Sequence, residues 1–477
     1  MRKFELFLLS AILFVGLALR LYKIDRPIAD WHSWRQADTA AVARNFIKEG
    51  FNPFIPRYDD MSMQANSLDN PQRYRFVEFP ILNTLIAGVW SQTGINVTYA
   101  RLVTVFISLG SIVLLFFLVK YLSGLSVAAL SAFFFATIPY NVFYSSAILP
   151  GPLMVFGILG LFFYFVRWLE TENWIFLAVS IFFANLAILS WPIAFFFLLP
   201  ILYLSYEKYG FALLRNLKLW IFVFLLLTPF IIWRIWMMRF PEGIPYLPFI
   251  LNQTNIRFKG AFFRWLVAER MGKLILTVGG FSLFVFGTLV KRSKKENFFY
   301  LVWLCSLILY FIVFAAGNVR HDYYQIPLIP IASIFMAIGT IKLFNLPSAH
   351  FSKFLGPVVA LILIIFMYAF GFYEVRGYWW TNRPEIVKAG MAADKILPKD
   401  AIVVAPYGGD TAFLYQTNRH GYPLVDRPLQ ELVKNGTKYL VSVDVADEGI
   451  QKLAKNCKLL AAENDYLIIE LSENCID

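Results

Sequence analysis

About eleven apolar runs, each close to the ~20 residues a helix needs to cross a bilayer, divide this 477-residue chain. They fall near 5–22, 101–121, 125–140, 152–168, 173–189, 191–206, 218–236, 273–290, 298–316, 325–344 and 355–373. With 59% hydrophobic and 18% aromatic residues, the chain has too little polar surface to cover a soluble globule of this size. Backbone polar groups inside hydrocarbon must bond within their own segment, so these runs are expected to be helices of a polytopic all-α membrane protein. The first run follows Met1-Arg2-Lys3 and ends at Arg20-Leu21-Tyr22 without a small-residue cleavage site, which reads as an uncleaved anchor.

The net charge of +12 is spread over short loops, with no nucleic-acid-binding motif. Arg2/Lys3, Lys120, Arg167, Lys208/Arg215/Lys218, Lys291/Arg292/Lys294/Lys295 and Lys342/Lys353 fall in alternate loops, as cytoplasmic charges do. The N-terminus is therefore expected inside and the tail outside, in a cell (inner) membrane. Segments 23–98, 141–151, 237–272 and 317–324 share the outer face on this reading. Cys305 lies in an apolar run and reads as a packing residue, whereas Cys457 and Cys475 are candidates to pair in an oxidising compartment.

Two stretches of the first outer loop, "ADTAAVARNFIKEG" and "PILNTLIAGVWSQTG", carry helical apolar patterns that end at Gly50 and Gly94 and read as interfacial helices. Segment 237–272 mixes Arg257, Lys259, Arg264 and Arg270 with aromatics and reads as a third, basic interfacial piece. From 374 the composition becomes that of a soluble domain. Helix-like "PEIVKAGMAADKIL" precedes strand-like "AIVVAP", "LQELVKNG" precedes "KYLVSV", and "CKLLAAENDYLIIEL" resembles a hairpin. The division expected is a membrane catalytic domain over 1–373 and a small extracytoplasmic α/β domain over 374–477.

Polar groups concentrate at three places. "DWHSWRQAD", just past the first run, holds Asp30, His32, Arg35 and Asp38. A carboxylate there acts either as a general base or as a helix cap, and Asp38 either faces the same cavity or pairs with Arg35 or Arg44. Glu78 in "VEFPILN" precedes a helix whose Pro80 suits the first turn, and Arg101 opens the next run from outside. "NVRHDYYQIPLIP" crowds Arg320, His321, Tyr323 and Tyr324 into a short outer loop, a set of donors suited to a phosphate leaving group. The histidines lack ligand-spaced partners, so no metal is expected to be required, although Asp30, His32 and Glu78 would bind a divalent ion if they converged.

With these residues in place, the chain resembles the GT-C superfamily of membrane glycosyltransferases, specifically the protein O-mannosyltransferase and lipid A aminoarabinose transferase group. The resemblance covers roughly residues 1–345 and rests on Asp30 with His32, "TAAVARNF", "EFP" at Glu78–Pro80, Arg101 and "HDYYQIPLIP". It implies a polyprenyl-phosphate sugar as donor and transfer to a lipid, glycan or protein hydroxyl on the outer face, by a single inverting displacement. It implies Asp30 as the base, with Asp38 the competing assignment. It gives Arg35, Arg101, His321 and Tyr324 to the donor phosphate, and Glu78 to the cavity wall. The chain departs from its relatives at "AILPGPLM", where Gly151 stands after Pro150 in place of the acidic residue they often carry.

A transporter or flippase of lipid-linked saccharides is the rival from another class. Such proteins show internal repeats and mid-membrane charges, and neither is evident here. A ligase or polymerase of pyrophosphate-linked glycans is the nearest enzymatic alternative. The groups above, distant in sequence, are expected to meet in one outward-facing cavity.

Overall fold

The computed structural model describes residues 3–291, 296–346 and 353–476. Arg2, Arg292, Lys294 and Lys295, read above as inner-face charges, lie outside these residues. The chain is mostly helical with one small C-terminal sheet, and it divides into two compact units. Unit 1 comprises Met1–Ile24, Leu102–Arg234 and Leu247–Arg376. Unit 2 comprises Asp25–Arg101, Ile235–Tyr246 and Gly377–Asp477.

Unit 1 is a helical bundle. Every apolar run contains helix, but among the described residues four helices are long and apolar enough to span a membrane: Val97–Ser123, Pro150–Thr171, Leu217–Met237 and the one starting at Leu355. A fifth arises if Gly260–Ile275 and Thr277–Leu289, bent by 112°, count as one span. Leu125–Thr137, Trp174–Ser190, Phe299–Val313 and Leu328–Phe344 are apolar but shorter. Small residues bring helices close, as membrane packing demands. A Cβ on Gly287 would lie 1.8 Å from the Phe335 carbonyl oxygen, and one on Gly339 would lie 2.4 Å from that of Leu283. Cys305 is exposed, because Phe299–Val313 buries its opposite face through Trp303, Ser306, Leu307 and Tyr310. The packing role expected for that thiol is therefore corrected. Segment 248–275 is not one interfacial helix but a chain of short turns, Pro248–Leu251, Gln253–Phe258 and Gly260–Phe263, followed by a wide π-type helix Arg264–Ile275.

Unit 2 is built on a five-stranded sheet of order β2-β1-β3-β5-β4: β1 Ile402–Val404, β2 His420–Tyr422, β3 Tyr439–Ser442, β4 Lys458–Glu463 and β5 Tyr466–Glu470. β2, β1 and β3 are parallel, and β5 and β4 close the sheet as the antiparallel hairpin expected. The expected helices form at Pro384–Ile396 and Leu429–Lys434. Helix Thr411–Gln416, strand β2 and helix Glu448–Asn456 have no counterpart in the sequence reading. Cys457 and Cys475 form a disulfide beneath this sheet.

The long segment after the first helix, Asp25–Arg101, belongs to the same unit. Gly421 of β2 donates to Asp59 O at 2.9 Å and accepts from Met61 N at 2.7 Å, so residues 59–61 extend the sheet edge. Helix Ser33–Lys48 buries every residue from Arg35 to Phe46, packed by Ile81–Thr93 and Thr411–Gln416. It is a core helix of unit 2 and not the interfacial helix its pattern suggested. Ala37, Ala40, Ala41 and Ala43 are small enough to be covered on all sides.

Candidate functional site

Asp30 follows Pro27 in the turn that leaves the first helix, and its carboxylate is fully enclosed. Oδ2 accepts from Arg26 Nε at 2.6 Å and pairs with Arg101 Nη2 at 3.2 Å, while Oδ1 accepts from Gln36 Nε2 at 2.9 Å. Arg101 also donates to Gln36 Oε1 at 2.9 Å. Burial, with Arg101 beside it, draws the Arg26 pKa down to about 10. Asp30 thus ties two buried guanidiniums and one amide into a single network. It does not cap the following helix, whose N-cap position is held by His32 in a left-handed conformation (φ 54°), without a side-chain cap bond. The His32 ring sits edge-on to Trp31, which stacks on Tyr378 with centroids 4.8 Å apart.

One to two turns along the helix, Arg35 and Asp38 face a cleft of about 240 Å³, counting its open side, which Arg75, Glu78, Thr39 and Asn83 also line. Two ion pairs frame it: Arg35 Nη2 to Glu78 Oε1 at 2.5 Å and Arg75 Nη2 to Asp38 Oδ2 at 2.6 Å. Asp38 Oδ1 accepts from Thr411 Oγ1 at 2.7 Å. The partners expected for Asp38 were Arg35 or Arg44; instead Arg35 serves Glu78, and Arg44 pairs with Asp59 and lies over the Tyr415 ring. Glu78 ends up where its residue type suggested, two positions before Pro80, which is itself the N-cap of Ile81–Thr93. Gln36, Arg26, Arg75 and Thr411 were missed by sequence reasoning. Arg26 and Gln36 flank a motif already singled out, but nothing local marks Arg75 or Thr411.

Of two further carboxyls of unit 2, Asp60 is buried and Asp410 is half-buried. Burial raises Asp60 to about 6, against hydrogen bonds from Ser62 and Tyr58 that pull the other way. Burial likewise raises Asp410 to about 6, although it accepts from Ala412 N and Ser33 Oγ.

The third polar group belongs to unit 1. His321 packs against Tyr323 and Tyr324 with centroids 5.4 and 5.7 Å away, and Trp191 meets Tyr324 edge-on at 5.1 Å. Exposed Arg320 donates to Phe249 O at 3.0 Å with its guanidinium 3.9 Å above that ring. Asp322 beneath them accepts from Tyr144 Oη at 2.5 Å through Oδ1 and from Tyr140 Oη at 2.5 Å through its carbonyl. The loop is thus held in shape by buried phenols and presents an imidazole and a guanidinium. A Cβ on Gly151 would lie 2.8 Å from Ile326 Cδ1 and 3.4 Å from Trp191, so these apolar side chains occupy the space next to the missing acid. Among the described residues no group of three or more His, Cys, Asp or Glu stands in metal-binding arrangement.

No family model and no curated protein matches the chain. Solved structures do. ArnT from Cupriavidus metallidurans bound to undecaprenyl phosphate superposes with a TM-score of 0.68 at 15% identity, over 97% of both chains. The Archaeoglobus fulgidus oligosaccharyltransferase, solved with Zn and sulfate, gives 0.57 at 12% identity over 92% of this chain and 68% of its own. The oligosaccharyltransferase AglB of the same organism, in complex with an inhibitory peptide and a dolichol-phosphate, gives 0.56 at 11% identity over 99% and 74%. At such identities the likeness shows the fold, which this chain shares with ArnT and with the archaeal oligosaccharyltransferases.

Proposed function

We propose that this chain is a membrane glycosyltransferase that moves a sugar from a polyprenyl-phosphate donor to an acceptor hydroxyl. The cleft framed by Asp38, Arg75, Arg35 and Glu78 is the observation that carries the reading. It is supported by the fold shared with ArnT bound to undecaprenyl phosphate and AglB bound to dolichol-phosphate. Asp38 is the base. It borders the cleft, and its hydrogen bond from Thr411 and ion pair with Arg75 fix its orientation. Asp30, with both oxygens engaged by cations and an amide, is the anchor of the network and keeps Arg101 in place.

In the proposed step the acceptor oxygen attacks the anomeric carbon and gives its proton to Asp38. The bond from that carbon to the phosphate oxygen breaks, the phosphate leaves with the electron pair, and the anomeric configuration inverts. A lipid monophosphate is a modest leaving group, so positive charge must stabilise it. We assign that task to Arg320 and His321, with Tyr323 and Tyr324 shaping the loop. His32, Arg35 and Glu78 bind the sugar or the acceptor.

The reading includes about eleven crossings of a cell (inner) membrane, with the N-terminus inside and unit 2 outside. The Cys457–Cys475 disulfide supports that side, because disulfides persist in oxidising compartments. Residues 374–477 are proposed to help recognise the acceptor, and no metal is required.

Purified protein incubated with radiolabelled polyprenyl-phosphate sugars and membrane extracts should label an acceptor, and Asp38→Asn should abolish labelling. Full labelling by Asp38→Asn would remove the catalytic assignment. Arg320→Ala and His321→Ala should weaken donor binding, and unchanged affinity in both would end the phosphate assignment.

A further inference from the structure

Segment 247–273 of unit 1 carries Arg257, Lys259, Arg264, Arg270 and Lys273 against a single acid, Glu269. Glu269 pairs with Arg264 at 3.7 Å, and Lys273 lies 3.9 Å from Glu374. Arg257, Lys259 and Arg270 make no ion pair among the described residues. The two arginines are anchored at one corner only. Nη2 of Arg257 donates to Val313 O at 2.7 Å and Nη2 of Arg270 to Val319 O at 3.0 Å, carbonyls in the last turns of helices Phe299–Val313 and Ala315–Arg320. A helix end offsets roughly half a charge, and the Nε of each arginine is enclosed without a partner.

The fold turns aromatic rings outward from the same segment. Gly260–Phe263 and Arg264–Ile275 bury Phe262 and Leu266, whereas Phe258, Phe263 and Trp265 are 79%, 59% and 44% exposed. Each exposed ring has a cation next to it in the chain, in Arg257-Phe258-Lys259 and Phe263-Arg264-Trp265. Lys259 is exposed, and the Arg264 side chain is 77% exposed. A patch of bare rings is costly in water, and unpaired cations are costly in hydrocarbon. The headgroup layer of a bilayer accepts both, with rings at the acyl boundary and cations among the phosphates. A zwitterionic headgroup answers its phosphate with its own ammonium. A headgroup of net negative charge is therefore the one that compensates cations the chain leaves unbalanced.

We propose that segment 247–273 is a docking surface for anionic glycerophospholipid headgroups, held by Arg257, Lys259, Arg264 and Arg270, with Phe258, Phe263 and Trp265 seated at the acyl boundary. This surface does not depend on the sugar-transfer reading. Full-length protein in a neutral detergent is titrated with phosphatidylglycerol, phosphatidylcholine or undecaprenyl phosphate. Phosphatidylglycerol should raise the unfolding midpoint saturably by about 2 °C or more, an effect that salt weakens, and phosphatidylcholine should not. Phosphatidylglycerol brominated in its acyl chains should quench the part of the tryptophan fluorescence that Trp265→Phe removes. Lys259→Gln with Arg264→Gln alters two exposed side chains and should weaken phosphatidylglycerol binding about tenfold, with the midpoint in phosphatidylcholine unchanged. Equal responses to the two phospholipids, a response confined to undecaprenyl phosphate, or full phosphatidylglycerol affinity in the double variant would each overturn the proposal.

Discussion

Asp30 and Asp38 are eight residues apart in one short motif, yet their surroundings differ: Asp30 is closed in by Arg26, Arg101 and Gln36, whereas Asp38 borders the cleft. Removing the charge of Asp30 leaves Arg26 and Arg101 buried against each other. Breaking such a buried pair costs about 3–5 kcal/mol. Asp30→Asn should therefore lower the unfolding midpoint markedly, measured by thermal scan in detergent, whereas Asp38→Asn should leave it closer to the parent and lower kcat by ~10²–10⁴. Arg75→Met should act through Asp38, reducing kcat with KM nearly unchanged, and Arg75→Lys should restore part of the rate. Asp60 and Asp410 give a pH signature of the opposite kind from an ordinary acid-labile carboxylate. Their pKa values, about 6, lie above those of the unfolded chain. The protonated forms favour the fold, so this contribution is complete below pH ~4 and is lost as pH rises through about 6. Asp410→Asn keeps a good helix cap and removes the buried charge. It should raise the unfolding midpoint at pH 7.5 and give no gain near pH 4, and equal effects at both values would contradict the assignment.

At the scale of elements, periodicity located helices better than it located their surroundings. The pattern "ADTAAVARNF" gave a helix where Ser33–Lys48 forms, but its alanines fit a buried helix as well as an interfacial one, and only the covering segments decide between them. Those segments, Ile81–Thr93 and Thr411–Gln416, come from far along the chain. The same distance hid the Asp38–Thr411 hydrogen bond, since a threonine in a short helix carries no signal of its partner. β2 was illegible for another reason: His420-Gly421-Tyr422 is too short and too glycine-dependent to read as a strand. The hairpin was legible because two short apolar runs, residues 459–462 and 466–469, flank the polar turn Glu463-Asn464-Asp465. Two tests belong here. Cys475→Ser should lower the stability of unit 2 by about 2–4 kcal/mol, seen as faster proteolysis of the tail, because the bridge closes a loop between cysteines 18 residues apart. Gly287→Val places a side chain against the Phe335 backbone and should reduce the yield of monodisperse protein, while Gly88→Ala, with open space around it, should not.

For the whole molecule, the membrane class followed from hydropathy alone, and the site motifs pointed to a fold that sequence comparison no longer detects at 11–15% identity. Fold is retained at such distances because it depends on apolar patterning and close helix contacts, which many sequences satisfy. Metal removal is informative at this scale: transfer should survive exhaustive chelation, and loss restored by one divalent ion would show that the carboxylates act through it. The most direct test uses proteoliposomes loaded with a polyprenyl-phosphate sugar carrying separate labels in the sugar and the lipid. The account predicts that the two labels part, with sugar label appearing in an acceptor and one polyprenyl phosphate released per transfer, and that Asp38→Asn stops the separation. Both labels remaining together while the intact donor changes leaflet would mean transport, and would contradict it.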